Sequence, residues 1–256
     1  MRGILERVFG RVAPTGKQRR PRHFFNRIPR TVYVIGDIHG CLKALLDLER
    51  KIVDDAAFRS GIKLLVYLGD YVDRGPSSAQ VISHLLKPPP RDFRRICIAG
   101  NHEEMFLEFI AGGCRNDAWL EMGGLQTLTS YGVQMTGQPK KDLAADIQER
   151  VPATHLDFLA GLPSLVRMDG YCFVHAGIDP ATGLEEQKDR VLMWSRPGEF
   201  TWPDDDIGFT VIHGHTPVTH VDVAPNRINV DTGAFMTDVL SAVRITSDGT
   251  TIFTSR

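Results

Sequence analysis

Five times along this 256-residue chain a short apolar run ends abruptly at a tip of glycine, aspartate, asparagine or histidine. Residues 31–35 stop at Gly36-Asp37-Ile38-His39-Gly40, and residues 64–68 at Gly69-Asp70-Tyr71-Val72-Asp73-Arg74-Gly75. Residues 95–99 stop at Gly100-Asn101-His102-Glu103, residues 171–174 at His175-Ala176-Gly177, and residues 209–212 at His213-Gly214-His215-Thr216. Runs this short and this rich in β-branched residues fit strands. The first three alternate with helical faces: Leu42, Leu45, Leu46 and Ile52, then Val81, Ile82, Leu85 and Leu86 after Pro76, then residues 102–111. That alternation predicts βαβαβ with a parallel sheet, an α/β fold. Open α/β sheets take their ligands at the carboxyl ends of their strands, where these polar tips lie. Each tip alone is an ordinary turn or helix cap; the constraint is the recurrence.

The rest of the chain divides around that rhythm. Residues 114–163 hold no convincing strand, and their spaced apolar residues predict a helical insert able to cover the strand ends. After Pro163, residues 165–168 and 171–174 flank Asp169-Gly170, a strong two-residue hairpin signal. Residues 227–230 read as a strand ending at Asp231-Thr232-Gly233, and 238–246 with 250–254 as a closing hairpin. Residues 1–30 read as a basic leader and linker, and residues 31–256 as one catalytic domain. The leader holds nine Lys or Arg and one acid, Glu6, so it carries +8 against a net charge of −1 for the chain. Ile4, Leu5, Val8, Phe9 and Val12 recur there at helical spacing. This suits a frayed tail, an amphipathic helix on an anionic surface, or an organelle-type leader, and deletion through residue 28 is expected to spare turnover. No aromatic interleaving marks it as a nucleic-acid arm.

No apolar run approaches the ~18 residues of a membrane span. The four cysteines, Cys41, Cys97, Cys114 and Cys172, contain no CxxC pair, and reduced thiols in the cytoplasm are expected. None begins C-x5-R, which excludes a cysteine-dependent phosphatase, and the absence of G-x4-G-K-[ST] excludes a Walker-type nucleotide hydrolase.

The tips supply six metal-capable side chains: Asp37, His39, Asp70, Asn101, His175 and His215. Hard oxygens mixed with imidazole suit manganese, iron, zinc or, more weakly, magnesium. Six ligands are too many for one ion that keeps open positions. They suit two divalent ions ~3.5–4 Å apart, bridged by a carboxylate and a water-derived hydroxide.

In order and wording, G-D-I-H-G, G-D-Y-V-D-R-G, G-N-H-E, H-A-G and G-H-T resemble the motifs of the phosphoprotein phosphatase (PPP-type) family of binuclear calcineurin-like metallophosphoesterases. The likeness spans residues 36–216. It continues through Asn229-Val230-Asp231-Thr232-Gly233-Ala234, which looks like the family's bacterial and phage branch. The resemblance implies a β-sandwich of two mixed sheets flanked by helices, α/β/β/α, with a helical insert. It implies Asp37 and His39 on a first ion, Asp70 bridging, and Asn101, His175 and His215 on the second, with manganese the favoured metal. It further implies His102 as general acid, Asp73 holding its imidazole, and Arg74 and Arg196 gripping phosphate. His213 is read as a neighbour of the ligands, and Asp231 either as a carboxylate orienting a ligand histidine or as a plain turn residue. The sequence lacks the Cys-Arg that follows G-N-H-E in eukaryotic members and their C-terminal Ser-Ala-Pro-Asn-Tyr, which weakens inference about phosphoserine preference.

The expected reaction is hydrolysis of phosphoserine, phosphothreonine or phosphotyrosine in a protein or peptide, or of a small phosphoester, by direct attack of bridging hydroxide. The alternatives are a symmetrical dinucleoside polyphosphate hydrolase and a non-catalytic scaffold on the same fold. No nucleic-acid partner is expected.

Overall fold

A strand that is apolar at every position needs a cover on both faces. Val32–Ile35 and, after Lys63, Leu64–Tyr67 are of this kind, buried throughout, and the architecture follows from covering them. In the computed structural model, which describes residues 19–114, 117–133, 140–202 and 207–256, two sheets stack face to face with helices outside.

In chain order the strands and helices are β1 (Arg22–Phe24), β2 (Val32–Ile35), α1 (Leu42–Ala56), β3 (Lys63–Tyr67), α2 (Ser78–Leu85), β4 (Phe93–Cys97) and α3 (Asn101–Ala111). The insert follows as α4 (Asp117–Trp119), a π-helical turn Leu120–Gly124, α5 (Leu125–Ser130), α6 (Lys140–Arg150) and α7 (Ala153–Gly161). Then come β5 (Leu165–Met168), β6 (Tyr171–Val174), α8 (Asp189–Trp194), β7 (Thr210–His213), β8 (Asp222–Ala224), β9 (Arg227–Asn229), α9 (Ala234–Thr237), β10 (Ser241–Thr246) and β11 (Gly249–Thr254). The first sheet runs β11-β10-β2-β3-β4 and the second β1-β5-β6-β7-β9-β8. Strands β2, β3 and β4 are parallel, as the β/α alternation predicts, and the antiparallel β10–β11 hairpin completes their sheet.

Strand alternation sorts the side chains. Val32, Val34, Leu64 and Val66 face inward and pack on Val166, Met168, Phe173, Ile212 and Ile228 of the second sheet. The intervening Tyr33, Ile35, Leu65 and Tyr67 face outward onto Leu45, Leu48 and Ile52 of α1, Val81 and Ile82 of α2, and Phe106 and Phe109 of α3. Leu165, Cys172, Val174 and Val211 cover the far side of the second sheet with Ile178 and Leu192. Each fully buried Val, Leu or Ile contributes about 1.5–3 kcal/mol relative to exposure, so both layers are needed to hold the strands.

Register then positions the tips. Ile35 pairs with Tyr67 and Tyr67 with Cys97, so the loops carrying Asp37, Asp70 and Asn101 leave their sheet side by side. Phe173 pairs with Ile212, which aligns the loops carrying His175 and His215.

The N-terminal boundary differs from the sequence reading. Arg22–Phe24, inside the expected leader, is a strand parallel to β5. Arg20 donates to the carbonyls of Leu159 and Leu162, and Arg22 to those of Leu184 and Glu185 and to Asp189. Three residues at a sheet edge are too few to show a strand period, so only the tertiary partners reveal them. The amphipathic stretch expected over residues 4–12 lies outside the described residues.

Candidate active site and metal centre

The five tips converge on one edge of the sandwich. Asp37, His39, Asp70, Asn101, His102, His175 and His215 are all buried there. Asp70 stands between two ligand groups. Its Oδ2 lies 3.4 Å from His39 Nε2 and its Oδ1 3.4 Å from His175 Nε2. On the second side His175 Nε2 is 3.0 Å from both Asn101 Oδ1 and His215 Nδ1. The other ring nitrogens are fixed by backbone: His39 Nδ1 bonds the Val72 carbonyl at 2.8 Å and His175 Nδ1 the Leu68 carbonyl at 3.0 Å. Donation from Nδ1 leaves the Nε2 lone pair of each ring aimed at Asp70.

This donor set fits divalent ions. Burial pushes His39 down to about 3, His215 to about 2 and His175 below its ordinary value, so all three rings are neutral at physiological pH and able to ligate a metal. For Asp70 burial works upward, but His175, His102, His39 and His215 outweigh it, and the carboxyl is held well below its usual range. Asp37 Oδ1 and His215 Nε2 are buried with no hydrogen-bond partner. An orphaned carboxylate oxygen at such depth calls for a cation. His39, Asp70 and His102 present ligand atoms within 4.8 Å of one another, as do Asp70, His175 and His215. Asp37 sits beside them; its Oδ2 accepts the His215 N–H at 3.0 Å.

Strain marks the same edge. His39, Asp70, Asp73, Arg74 and His215 all have positive φ, at roughly 1–2 kcal/mol each for a side chain with Cβ. Glu103 offsets this in the second loop. Its wholly buried carboxylate accepts the N–H groups of Asp70 (2.9 Å), Tyr71 (2.7 Å), Val72 (3.4 Å) and Gly100 (2.8 Å). Gly100 is required where it stands, because a Cβ there would lie 2.1 Å from Asp70 Oδ1.

Next to these side chains lies a hydrogen-bonded His–Asp pair. His102 Nδ1 is 2.6 Å from Asp73 Oδ2. Asp73 is fully buried, and it also accepts Trp119 Nε1–H at 2.7 Å and the Thr127 hydroxyl at 2.7 Å. Burial lowers the His102 imidazole, but the Asp70 and Asp73 carboxylates outweigh it and hold it above its ordinary value. Burial also raises Asp73, only partly opposed by His102, Thr127 and Trp119. Arg74 Nη2 reaches His102 Nε2 at 3.2 Å, and its guanidinium lies 4.4 Å from the centroid of the Phe235 ring.

The remaining expected residues sit further out. Arg196 follows α8 on the surface, its backbone N–H bonded to Glu199, while its charge still disfavours protonation of His175 and His215. Asp231 is buried and accepts the Gly233 N–H at 2.8 Å; burial raises the neighbouring Asp37, and the Asp231 charge raises it further. His213 bonds the Gly214 carbonyl through Nδ1 and belongs to neither ligand group among the described residues. Three positioning residues escaped the sequence reading. They are Glu103, Trp119 and Thr127. The one available signal is that Glu103 is part of the Gly100-Asn101-His102-Glu103 tip.

Fold and site together define a metallophosphoesterase: a two-sheet sandwich with Asp, His and Asn side chains gathered at the strand ends. The chain belongs to the calcineurin-like phosphoesterase family, whose model matches residues 30–239. Its relatives divide by activity. It is 26% identical over 230 residues to an asymmetrical bis(5'-nucleosyl)-tetraphosphatase PrpE of Oceanobacillus iheyensis, covering 82% of this chain and 87% of that one. It is 28% identical over 236 residues to serine/threonine-protein phosphatase 1 of Salmonella typhimurium, covering 88% and 99%. A crystal structure described as a putative diadenosine tetraphosphatase shares the fold with TM-score 0.62 at 21% identity, covering 91% of this chain and 96% of the other.

Proposed function

We propose that this protein is a manganese-dependent phosphomonoesterase that removes phosphate from serine, threonine or tyrosine side chains of proteins. The observation that carries the reading is Asp70, one buried carboxylate with an oxygen toward each of two ligand groups. Asp37, His39 and Asp70 would hold one divalent ion, and Asp70, Asn101, His175 and His215 the other. When bound, such a pair supplies Lewis acidity and lowers the pKa of water.

The chain's own residues do the rest. Arg74 donates to a phosphate oxygen, a geometry its planar fork suits. Arg196 adds positive charge from the rim. Drawing Arg74 onto phosphate releases His102 Nε2, the nitrogen it contacts at 3.2 Å. Once free, His102 Nε2 takes a proton from solvent and passes it to the departing ester oxygen, while Asp73 accepts Nδ1–H and stabilises the imidazolium. Trp119 and Thr127 keep Asp73 aimed at that ring. Asp231, beside Asp37, supports the first ligand group. The four cysteines form no disulfide, and three are buried, which agrees with a reducing cytoplasm.

A second reading is favoured by the PrpE relatives, whose name describes asymmetrical cleavage of a dinucleoside tetraphosphate, whereas the sequence alone suggested symmetrical cleavage. A panel of phosphopeptides and diadenosine tetraphosphate, with products resolved by chromatography, separates the readings. Phosphate release from peptides at least tenfold more efficient than nucleotide release is expected. A reverse preference, with unequal nucleotide products, would replace the first reading by the second.

A further inference from the structure

Beside Arg74 the insert and the C-terminal segment leave an open groove of roughly 590 Å³. Met122 and Gln126 line the insert side, and Pro217, Phe235 and Met236 the other. Its apolar wall begins at the catalytic machinery. The Phe235 ring lies 4.4 Å from the Arg74 guanidinium carbon and, edge to face, 5.2 Å from the His39 ring. Further out, Met236 is 62% and Met122 39% exposed.

The wall is also held in place. Phe235 and Met236 ride on α9, which is bracketed by left-handed residues at Gly233 and Asp238 and tied by Thr237 Oγ1 to the carbonyls of Thr232 and Gly233. On the facing side Gly123, at φ 111°, brings its carbonyl to the Arg74 N–H at 3.1 Å, and a Cβ there would lie 2.5 Å from Arg74 N. The insert therefore closes against Arg74 only with glycine at that position.

We infer that this groove is the leaving-group subsite, and that Phe235, with Met122 and Met236, selects phosphoesters whose ester oxygen is carried directly by an aromatic ring, as in phosphotyrosine. The inference rests on the phosphomonoesterase reading above and sharpens it. With the apolar wall starting at the phosphate-holding arginine, a phenol ring meets Phe235 as soon as it leaves the ester oxygen. Offset or edge contacts with Phe235, and thioether contacts with the two methionines, suit such a ring. A serine ester offers one methylene over the same distance. A nucleoside polyphosphate would run more anionic groups past Glu121, which lines the same groove and carries the same sign.

Phenols also leave more readily than alcohols, so the test removes chemistry from the comparison. Phenylphosphonate and methylphosphonate, neither hydrolysable, are compared as competitive inhibitors of phosphate release from a phosphoserine peptide by the full-length, manganese-supplied protein. Wild type is expected to bind phenylphosphonate about five- to tenfold more tightly, the range of one good ring contact. That advantage should fall below about twofold in Phe235→Ala, persist in Phe235→Tyr, and roughly halve in Met236→Ser, a surface change that spares the core. Equal inhibition by the two phosphonates in active wild type overturns the inference alone. So does an unchanged preference in both Phe235→Ala and Met236→Ser. A wild-type protein that releases phosphate from no phosphoester overturns the phosphomonoesterase reading, and this inference with it.

Discussion

Asp70 and His102 illustrate how little room the site leaves for substitution. Asp70→Asn keeps the volume but removes the carboxylate that stands between the two groups, and His102→Ala removes the proton donor. Each is expected to lower phosphate release at least ~10²-fold, measured under saturating metal with folding checked by circular dichroism. Glu103 makes a subtler demand. Its carboxylate accepts four backbone N–H groups around Asp70, and an amide at that position would turn a donor toward one of them. Glu103→Gln should therefore weaken manganese binding by about 10- to 100-fold, the usual effect of losing a group that orients a ligand. Titration calorimetry checks this, and unchanged affinity would mean that the loop holds itself without the carboxylate.

At the scale of elements, the insert does more than cover the strand ends. Trp119, stacked on Phe106 with ring centroids 5.0 Å apart, sends its indole N–H to Asp73. Trp119→Phe should preserve the stacking and lower kcat by about 10- to 100-fold with little change in KM, because a hydrogen bond to a buried charge is worth about 1.5–3 kcal/mol. Between the sheets, Phe173→Ala opens a cavity in the inward layer and should cost about 3–5 kcal/mol in urea unfolding. The strands that carry ligands were legible because each is an apolar run with an abrupt polar stop, and parallel register turned neighbours in rhythm into neighbours in space. The contacts of Trp119 and Thr127 with Asp73 were not, since they join residues 46 and 54 positions apart with no local pattern to announce them. Strands β1 and β8 were missed for a related reason: three residues at a sheet edge show no periodicity.

Across the whole molecule, charge and chain ends are tied into the sandwich. Asp55 of α1 accepts from Tyr33 on β2, Arg59 on the following turn and Arg244 on β10. Burial alone would raise its carboxyl, but these hydrogen bonds and the arginine charges prevail and hold it down at about 2. A depressed folded-state pKa means that the stabilisation is present above the unfolded value near 3.8 and is lost as pH falls toward 2. The stability gap between wild type and Asp55→Asn should therefore be constant from pH 7 to about pH 5 and close between pH 4 and 2. A gap that persists at pH 2 would show that the carboxylate charge is not what matters. Truncation through residue 28 removes β1 with the Arg20 and Arg22 contacts, so it should lower the melting temperature by several degrees, whereas removing residues 1–18 leaves those contacts intact.

The central claim is that one buried carboxylate joins two metal sites. Elemental analysis of manganese-saturated, gel-filtered protein tests it most directly. Two ions per chain are predicted for wild type and fewer than one for Asp70→Asn, since losing the bridge weakens both sites. A fully active wild-type protein with a single ion, or an Asp70→Asn protein that still holds two, would contradict the account.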